Sequence, residues 1–169
     1  EALFEDTLKL AYEDSKAISA IKVGLISDDR LLKIILKYLD NEFKGIPVVW
    51  DPVLTGTAGD LHSVDLKAYL KDILKHTTIF TPNLNEALEL ASWSKEDFKQ
   101  KGVKALAQVF LDLGCQNVVI KGGHNIENTD AKDYFASKEV SFFLVCPKVE
   151  GLGAHGGGCA LSSSLAAFL

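Results

Sequence analysis

Methionine is absent from all 169 residues, and tryptophan occurs only twice and proline four times. A reading frame needs an initiator, so the sequence, entering at Glu1 inside an amphipathic pattern and leaving at Leu169 inside a helical one, reads as part of a longer chain. Cysteine is equally sparse. Cys115, Cys146 and Cys159 are odd in number and far apart, which fits neither a disulfide framework nor a zinc site and leaves at least one free thiol. No apolar run reaches the roughly 18 residues of a membrane-spanning helix, and no signal peptide is present, so a cytoplasmic protein without a membrane partner is expected. Basic clusters are missing too. With a net charge of −5, nucleic acid is not an expected partner.

The residues that are there describe an ordinary globular domain, 47% hydrophobic and 24% charged, long enough to bury a core. Glu1 to about Ser15 has a helical pattern. Ala20–Ile26 is a short apolar strand, followed by Ser27-Asp28-Asp29 as a helix start. Leu31, Leu32, Ile34, Ile35, Tyr38 and Leu39 then recur at helical spacing as far as about Phe43. Val48-Val49-Trp50 forms a second strand, running into Asp51-Pro52 and a loop over 52–63. A helix over Val64–Leu74 precedes a third strand at Thr77–Phe80, stopped by Thr81-Pro82-Asn83. Asn83 or Asn85 caps the next helix, and Ser94 starts another that runs to Leu113-Gly114. Asn117–Lys121 is the fourth strand and ends in Gly122-Gly123-His124. Residues 125–133 are polar and read as a mobile segment, and Val140–Val149 alternates weakly, as in an antiparallel strand or hairpin. Strands of continuous apolar character alternating with helices predict a three-layer α/β/α fold. Its central sheet is mainly parallel, with a small antiparallel excursion near 131–149.

In open α/β sheets ligands bind outside the carboxyl ends of the strands. Those ends carry Ser27 and Asp28, Asp51, Asn83 and Glu86, and Lys121. Behind them comes Gly156-Gly157-Gly158-Cys159, opening a helix of small residues, where unpaired amides and the helix dipole favour an anion. Carboxylates that can hold Mg²⁺, a lysine and a glycine-lined helix N-terminus are the parts of a phosphoryl-transfer site. Each has a plainer reading: Asp51 as a turn residue, Glu86 as a first-turn carboxylate on its helix, Lys121 as a solvated edge residue, the glycines as a turn. His62 and His76 read as surface residues, and His124 and His155 as loop or packing residues. The co-occurrence of the expected residue types at separate strand ends favours the site.

The order of motifs is recognisable. Val23-Gly24-Leu25, Asp51-Pro52-Val53-Leu54 with Gly59-Asp60, and Thr81-Pro82-Asn83-Leu84-Asn85-Glu86 are followed by Val119-Ile120-Lys121-Gly122-Gly123-His124 and by His155-Gly156-Gly157-Gly158-Cys159-Ala160-Leu161-Ser162. Over essentially its whole length the chain resembles the hydroxymethylpyrimidine/phosphomethylpyrimidine kinases of thiamine biosynthesis, in the ribokinase-like superfamily. The resemblance implies a single kinase domain over 1–169, short of that family's N-terminal and C-terminal segments, using ATP and Mg²⁺ on a small pyrimidine. It places Mg²⁺ at Asp51 and Glu86 through water, and the ATP phosphates at Lys121 and Asn83. Gly156, Gly157 and Gly158 become the cradle for the transferring γ-phosphate, and Leu25 and Val53 line the pyrimidine pocket together with Cys159. Lys121 and Cys159 are the catalytic pair it implies, Cys159 as the proton acceptor, since a helix N-terminus and a nearby cation favour thiolate. Two positions depart from the family pattern, Gly157 and Ala160, where threonine is usual; weaker phosphate binding or slower turnover is the expected direction. Pyridoxal or pyridoxine kinase activity and a non-catalytic ligand-binding domain on the same fold are the alternatives. A dinucleotide oxidoreductase is not supported, because no Gly-x-Gly-x-x-Gly follows the first strand. Relatives in the superfamily often dimerise, so a homodimer is an open expectation with no interface signature of its own.

Overall fold

A computed structural model describes residues 1–14, 18–54, 64–122, 130–147 and 156–169. Six strands form one sheet in the order β1 (Ile21–Val23), β2 (Val48–Trp50), β3 (Ile79–Phe80), β4 (Asn117–Ile120), β5 (Asp130–Ser137) and β6 (Ser141–Pro147). The first four are parallel, and β5 and β6 are each antiparallel to the strand before. This is the predicted mainly parallel sheet with its antiparallel excursion. The helices are α1 (Ala2–Asp14), α2 (Asp29–Asp40), α3 (Leu70–Leu74), α4 (Leu84–Ala91), α5 (Lys95–Asp112) and α6 (Gly157–Ala167).

Because side chains alternate along a strand, the register sorts the sheet into two faces. Val23, Trp50, Phe80, Val118 and Ala136 are partners across five strands and share one face. Right-handed crossovers between neighbouring parallel strands bring α2 to α5 onto that same face. There they close a core around Leu32, Leu74, Ala87, Leu106 and Phe110, with the Phe80 and Phe110 rings 5.1 Å apart. Lys22, Val49, Ile79 and Asn117 point the other way. On that side α6 packs against β1 and β2, completing the third layer.

The differences from the expected boundaries have local causes. The helix expected from Val64 begins only at Leu70; before it, Val64 and Leu66 are buried while the backbone makes successive turns. The third strand is shorter than its apolar run, because Thr77 turns back and donates its hydroxyl to Ile73 O at 2.8 Å. Residues 130–133, expected in the polar mobile segment, open β5, where Lys132 and Asp133 pair with Val145 and Leu144. Inside α5, Gly102 leaves helical geometry at φ 77°, a conformation that glycine alone adopts without strain. His76 is half-buried beside Asp40 rather than on the open surface. The expected roles of His62, His124 and His155 and of the 52–63 loop beyond Leu54 fall outside the described residues. All three cysteines are free thiols, Cys115 buried and Cys146 and Cys159 exposed.

Candidate active site

The site begins where the parallel strands stop. Ladder hydrogen bonds continue past the strand ends: Asp51 N donates to Val23 O at 2.9 Å, Thr81 N to Trp50 O at 2.9 Å and Lys121 N to Pro82 O at 2.8 Å. Asp51, Thr81 and Lys121 each follow a residue of the core face, Trp50, Phe80 and Ile120. Strand alternation therefore turns all three to the α6 side. This parity collects polar groups from separate strands into one cluster without disturbing the core behind them.

Lys121 Nζ lies 2.8 Å from Asp51 Oδ1, an ion pair with the Asp51 side chain 1% exposed and that of Lys121 14% exposed. Thr81 Oγ1 lies 3.5 Å from the same oxygen, and Ser162 Oγ lies 3.2 Å from Asp51 Oδ2. A buried carboxylate without partners would be costly; this one has a cation and hydroxyls on both oxygens. Beside it, Asn83 caps α4 in a reciprocal capping box, with Glu86 N donating to Asn83 Oδ1 at 2.9 Å and Asn83 N to Glu86 Oε2 at 2.7 Å. Burial pushes the Glu86 carboxyl above its ordinary range; the Asn83 amide and the Lys121 charge pull it back, and the Asp51 charge adds to the rise. The two carboxylates therefore feel one another.

The first turn of α6 closes the cluster. Gly156 is its N-cap at φ 86°, with no side-chain cap, and no acidic residue occupies the first turn, so the leading amides carry no competing carboxylate. A Cβ on Gly158 would stand 2.9 Å from Lys121 Nζ, so the helix meets the ion pair at that distance only because this position is bare. A Cβ on Gly157 would meet nothing within 4 Å, so the departure from threonine there has no steric origin. On the strand side, a Cβ on Gly122 would fall 2.0 Å from Lys132 O, which fixes glycine directly after the lysine.

The predicted residues thus divide. Asp51, Lys121 and Gly158 are brought together around one ion pair. Asn83 and Glu86 adjoin it through a bridge between Asn83 and Lys121 and through electrostatic contact. Gly156, Gly157 and Cys159 lie on the exposed first turn of α6. Leu25, half exposed, follows β1 and lines a cavity of about 320 Å³ together with Phe4, Leu8, Val23 and Leu31. Val53 follows β2 and is half-buried. Asp28, a candidate at the first strand end, is instead the N-cap of α2, accepting from Arg30 N at 2.7 Å and bound in an ion pair by the Arg30 guanidinium. That guanidinium holds the Asp28 carboxyl down at about 2. Two members of the cluster, Thr81 and Ser162, had no role in the sequence reading. Strand parity marks the first, and the four-residue spacing from Gly158 along α6 marks the second.

Among the described residues, no three potential ligands converge as a closed metal cage would require. Asp51 and Glu86 are two carboxylates near enough to interact electrostatically, a donor set of the kind Mg²⁺ takes, since it keeps several waters and uses one or two carboxylates together with substrate phosphates.

A mainly parallel sheet with an antiparallel edge, carrying a buried aspartate–lysine pair under a glycine-opened helix, makes this a ribokinase-like α/β domain. The profile described as phosphomethylpyrimidine kinase matches residues 1–169, and the chain belongs to that family. It is 32% identical over 175 residues to the hydroxymethylpyrimidine/phosphomethylpyrimidine kinase of Staphylococcus aureus (strain MSSA476), covering 100% of this chain and 58% of the relative. To the enzyme of the same name from Helicobacter pylori (strain J99) it is 30% identical over 164 residues, 95% of this chain and 60% of the relative. Among solved structures, Staphylococcus aureus pyridoxal kinase in complex with ADP superposes with a TM-score of 0.81 at 26% identity, over 99% of this chain and 60% of that one. Phosphomethylpyrimidine kinase from Clostridium difficile 630 gives a TM-score of 0.72 at 25% identity, over 97% and 65%. The chain therefore spans about 60% of the length of the curated relatives it matches. No helix among the described residues is long and apolar enough to cross a membrane.

Proposed function

We propose that the protein carrying this chain transfers the γ-phosphoryl group of ATP to the hydroxymethyl group of 4-amino-5-hydroxymethyl-2-methylpyrimidine, to the phosphate of its monophosphate, or to both, in thiamine biosynthesis. The observation that carries this reading is the Lys121–Asp51 pair at 2.8 Å, seated under the bare Gly158 at the start of α6. The cluster sets a cation and free helix amides around one point, which is what charge on a transferring phosphoryl group needs. Family membership supports the substrate class, and the ADP and AMP-PCP complexes of the pyridoxal kinase neighbour support ATP as donor.

In this reading Lys121 turns part of its charge from Asp51 to the phosphates, and the amides of Gly157 and Gly158 receive the γ-phosphate oxygens. Leu25 and Val53 flank the flat ring. Where the acceptor is the hydroxymethyl group, its proton passes to Cys159 Sγ acting as thiolate while its oxygen bonds to the γ-phosphorus; the phosphate of the monophosphate attacks with an oxygen that carries no proton; in both, the bond from that phosphorus to the bridging oxygen breaks and ADP leaves. Asp51 and Glu86 would hold Mg²⁺ through water, and that ion would neutralise phosphate charge. A cytoplasmic location, where ATP is available, accords with this reading.

Pyridoxal phosphorylation is the second reading, favoured by the likeness to a pyridoxal kinase solved with AMP-PCP and pyridoxal, at a TM-score of 0.79 and 26% identity. An ADP-release assay on the full-length protein decides. Turnover with the pyrimidine or its monophosphate and not with pyridoxal is expected; turnover with pyridoxal alone establishes the second reading, and none with any of them overturns both. Cys159→Ala is expected to slow the pyrimidine reaction about 100-fold, and an unchanged rate removes the thiol from proton transfer.

A further inference from the structure

Ser162 is the buried residue of α6; the other described side chains of that helix are half-buried or exposed. Its hydroxyl has one proton and three oxygens in range: Asp51 Oδ2 at 3.2 Å, Gly158 O at 3.1 Å and Cys159 O at 3.1 Å. A serine inside a helix usually donates back to a carbonyl one turn earlier. That carbonyl also serves the helical ladder, so it is not left without a donor if the hydroxyl turns away. Asp51 Oδ2, by contrast, has no other hydrogen-bond donor among the described residues, since Lys121 and Thr81 both reach Oδ1. Donation to a buried carboxylate is also the stronger bond, being charge-assisted.

We infer that Ser162 is a positioning residue that latches α6 to Asp51 and so fixes the glycine cradle against the carboxylate and its lysine. Gly158 and Ser162 are four apart and share the helix face that meets the ion pair. A Cβ on the first would push the Lys121 ammonium aside, and the second donates to Asp51. What the latched groups accomplish rests on the kinase reading; the latch itself does not.

The test uses the full-length protein with Ser162→Ala and Ser162→Thr. Ser162→Ala is expected to lower kcat about ten-fold or more, the effect of one hydrogen bond to a charged group, with the KM for the pyrimidine within two-fold of wild type. In calorimetry, the gain in AMP-PCP affinity on adding Mg²⁺ should shrink about ten-fold, while affinity in EDTA is kept. Ser162→Thr, which keeps the hydroxyl, should recover most of both. Without any ligand, amide exchange across 157–165 should quicken about ten-fold in Ser162→Ala, with the strands unchanged. Unchanged kcat and unchanged exchange overturn the latch. If Ser162→Ala does not fold, Ser162→Cys, close in volume and a weak donor, carries the same expectations. A wild type inert toward every substrate overturns the kinase reading, and the exchange measurement then still decides the latch.

Discussion

The two halves of the candidate site are built on opposite terms. Asp51, Thr81 and Lys121 leave the sheet as an interlocked rim whose backbone extends the strand ladder, with the buried Glu86 beside them in the first turn of α4. The other half, Gly156 to Cys159, is exposed apart from the half-buried Gly158, has no side-chain cap, and reaches the rest of the site through Gly158 and Ser162. The rim's geometry is a by-product of core packing, so disturbing it costs stability together with function. The cradle's geometry depends on very few contacts, so it can be spoiled while the fold stays intact.

Removing the charge that joins the two halves should have the largest effect. Lys121→Met leaves Asp51 buried with its hydroxyl partners and without a cation. Activity is expected to fall about 100- to 1,000-fold, and urea unfolding should show a loss of about 3 kcal/mol. A variant as stable as wild type would show that the rim does not depend on the pair. Gly158→Ala comes next and separates the halves. Alanine favours the helix by about 1 kcal/mol over glycine, while the new Cβ, 2.9 Å from Lys121 Nζ, displaces the flexible end of the lysine. Stability should hold or rise, and kcat should drop about 100-fold, as a misplacement near 1 Å can cost; a parallel loss of stability would mean that the cradle is as firmly built as the rim. The smallest effect is expected for Glu86→Gln on stability. Glutamine still offers an oxygen to the Asn83 amide, and the glutamate's raised folded-state value means that the fold binds its proton more tightly than the unfolded chain does. Glu86 therefore contributes stability at low pH that is lost as pH rises through its folded value. Unfolding at pH 5 and pH 7.5 should show the variant gaining on wild type at the higher pH, even as turnover falls.

Much of this was legible in the sequence because parallel sheets write themselves plainly. Val48-Val49-Trp50 and Val118-Val119-Ile120 are buried on both faces and read as unbroken apolar runs. Chemistry then has to leave at their carboxyl ends, which is where Asp51 and Lys121 stand. The opening of β5 was hidden because Asp130, Lys132 and Asp133 give it the composition of a loop, and only pairing with β6 makes it strand. Gly102 gave no warning, since α5 carries its apolar stripe across the interruption. Thr81 and Ser162 are small hydroxyl residues that declare nothing by type; their meaning lies in which face they occupy.

The strand order has a further consequence. Each strand of the sheet hydrogen-bonds to its neighbour in sequence, so every closure that the sheet itself requires is between consecutive strands and carries a modest entropic cost. The bond between Asp51 and Ser162 spans 111 positions. Made from an unfolded chain, so long a closure would be expensive; made onto a finished sheet, it is short, because the strands have already drawn the chain together. The first turn of α6 is thus seated on β1 and β2 through a contact that only the folded sheet brings within reach.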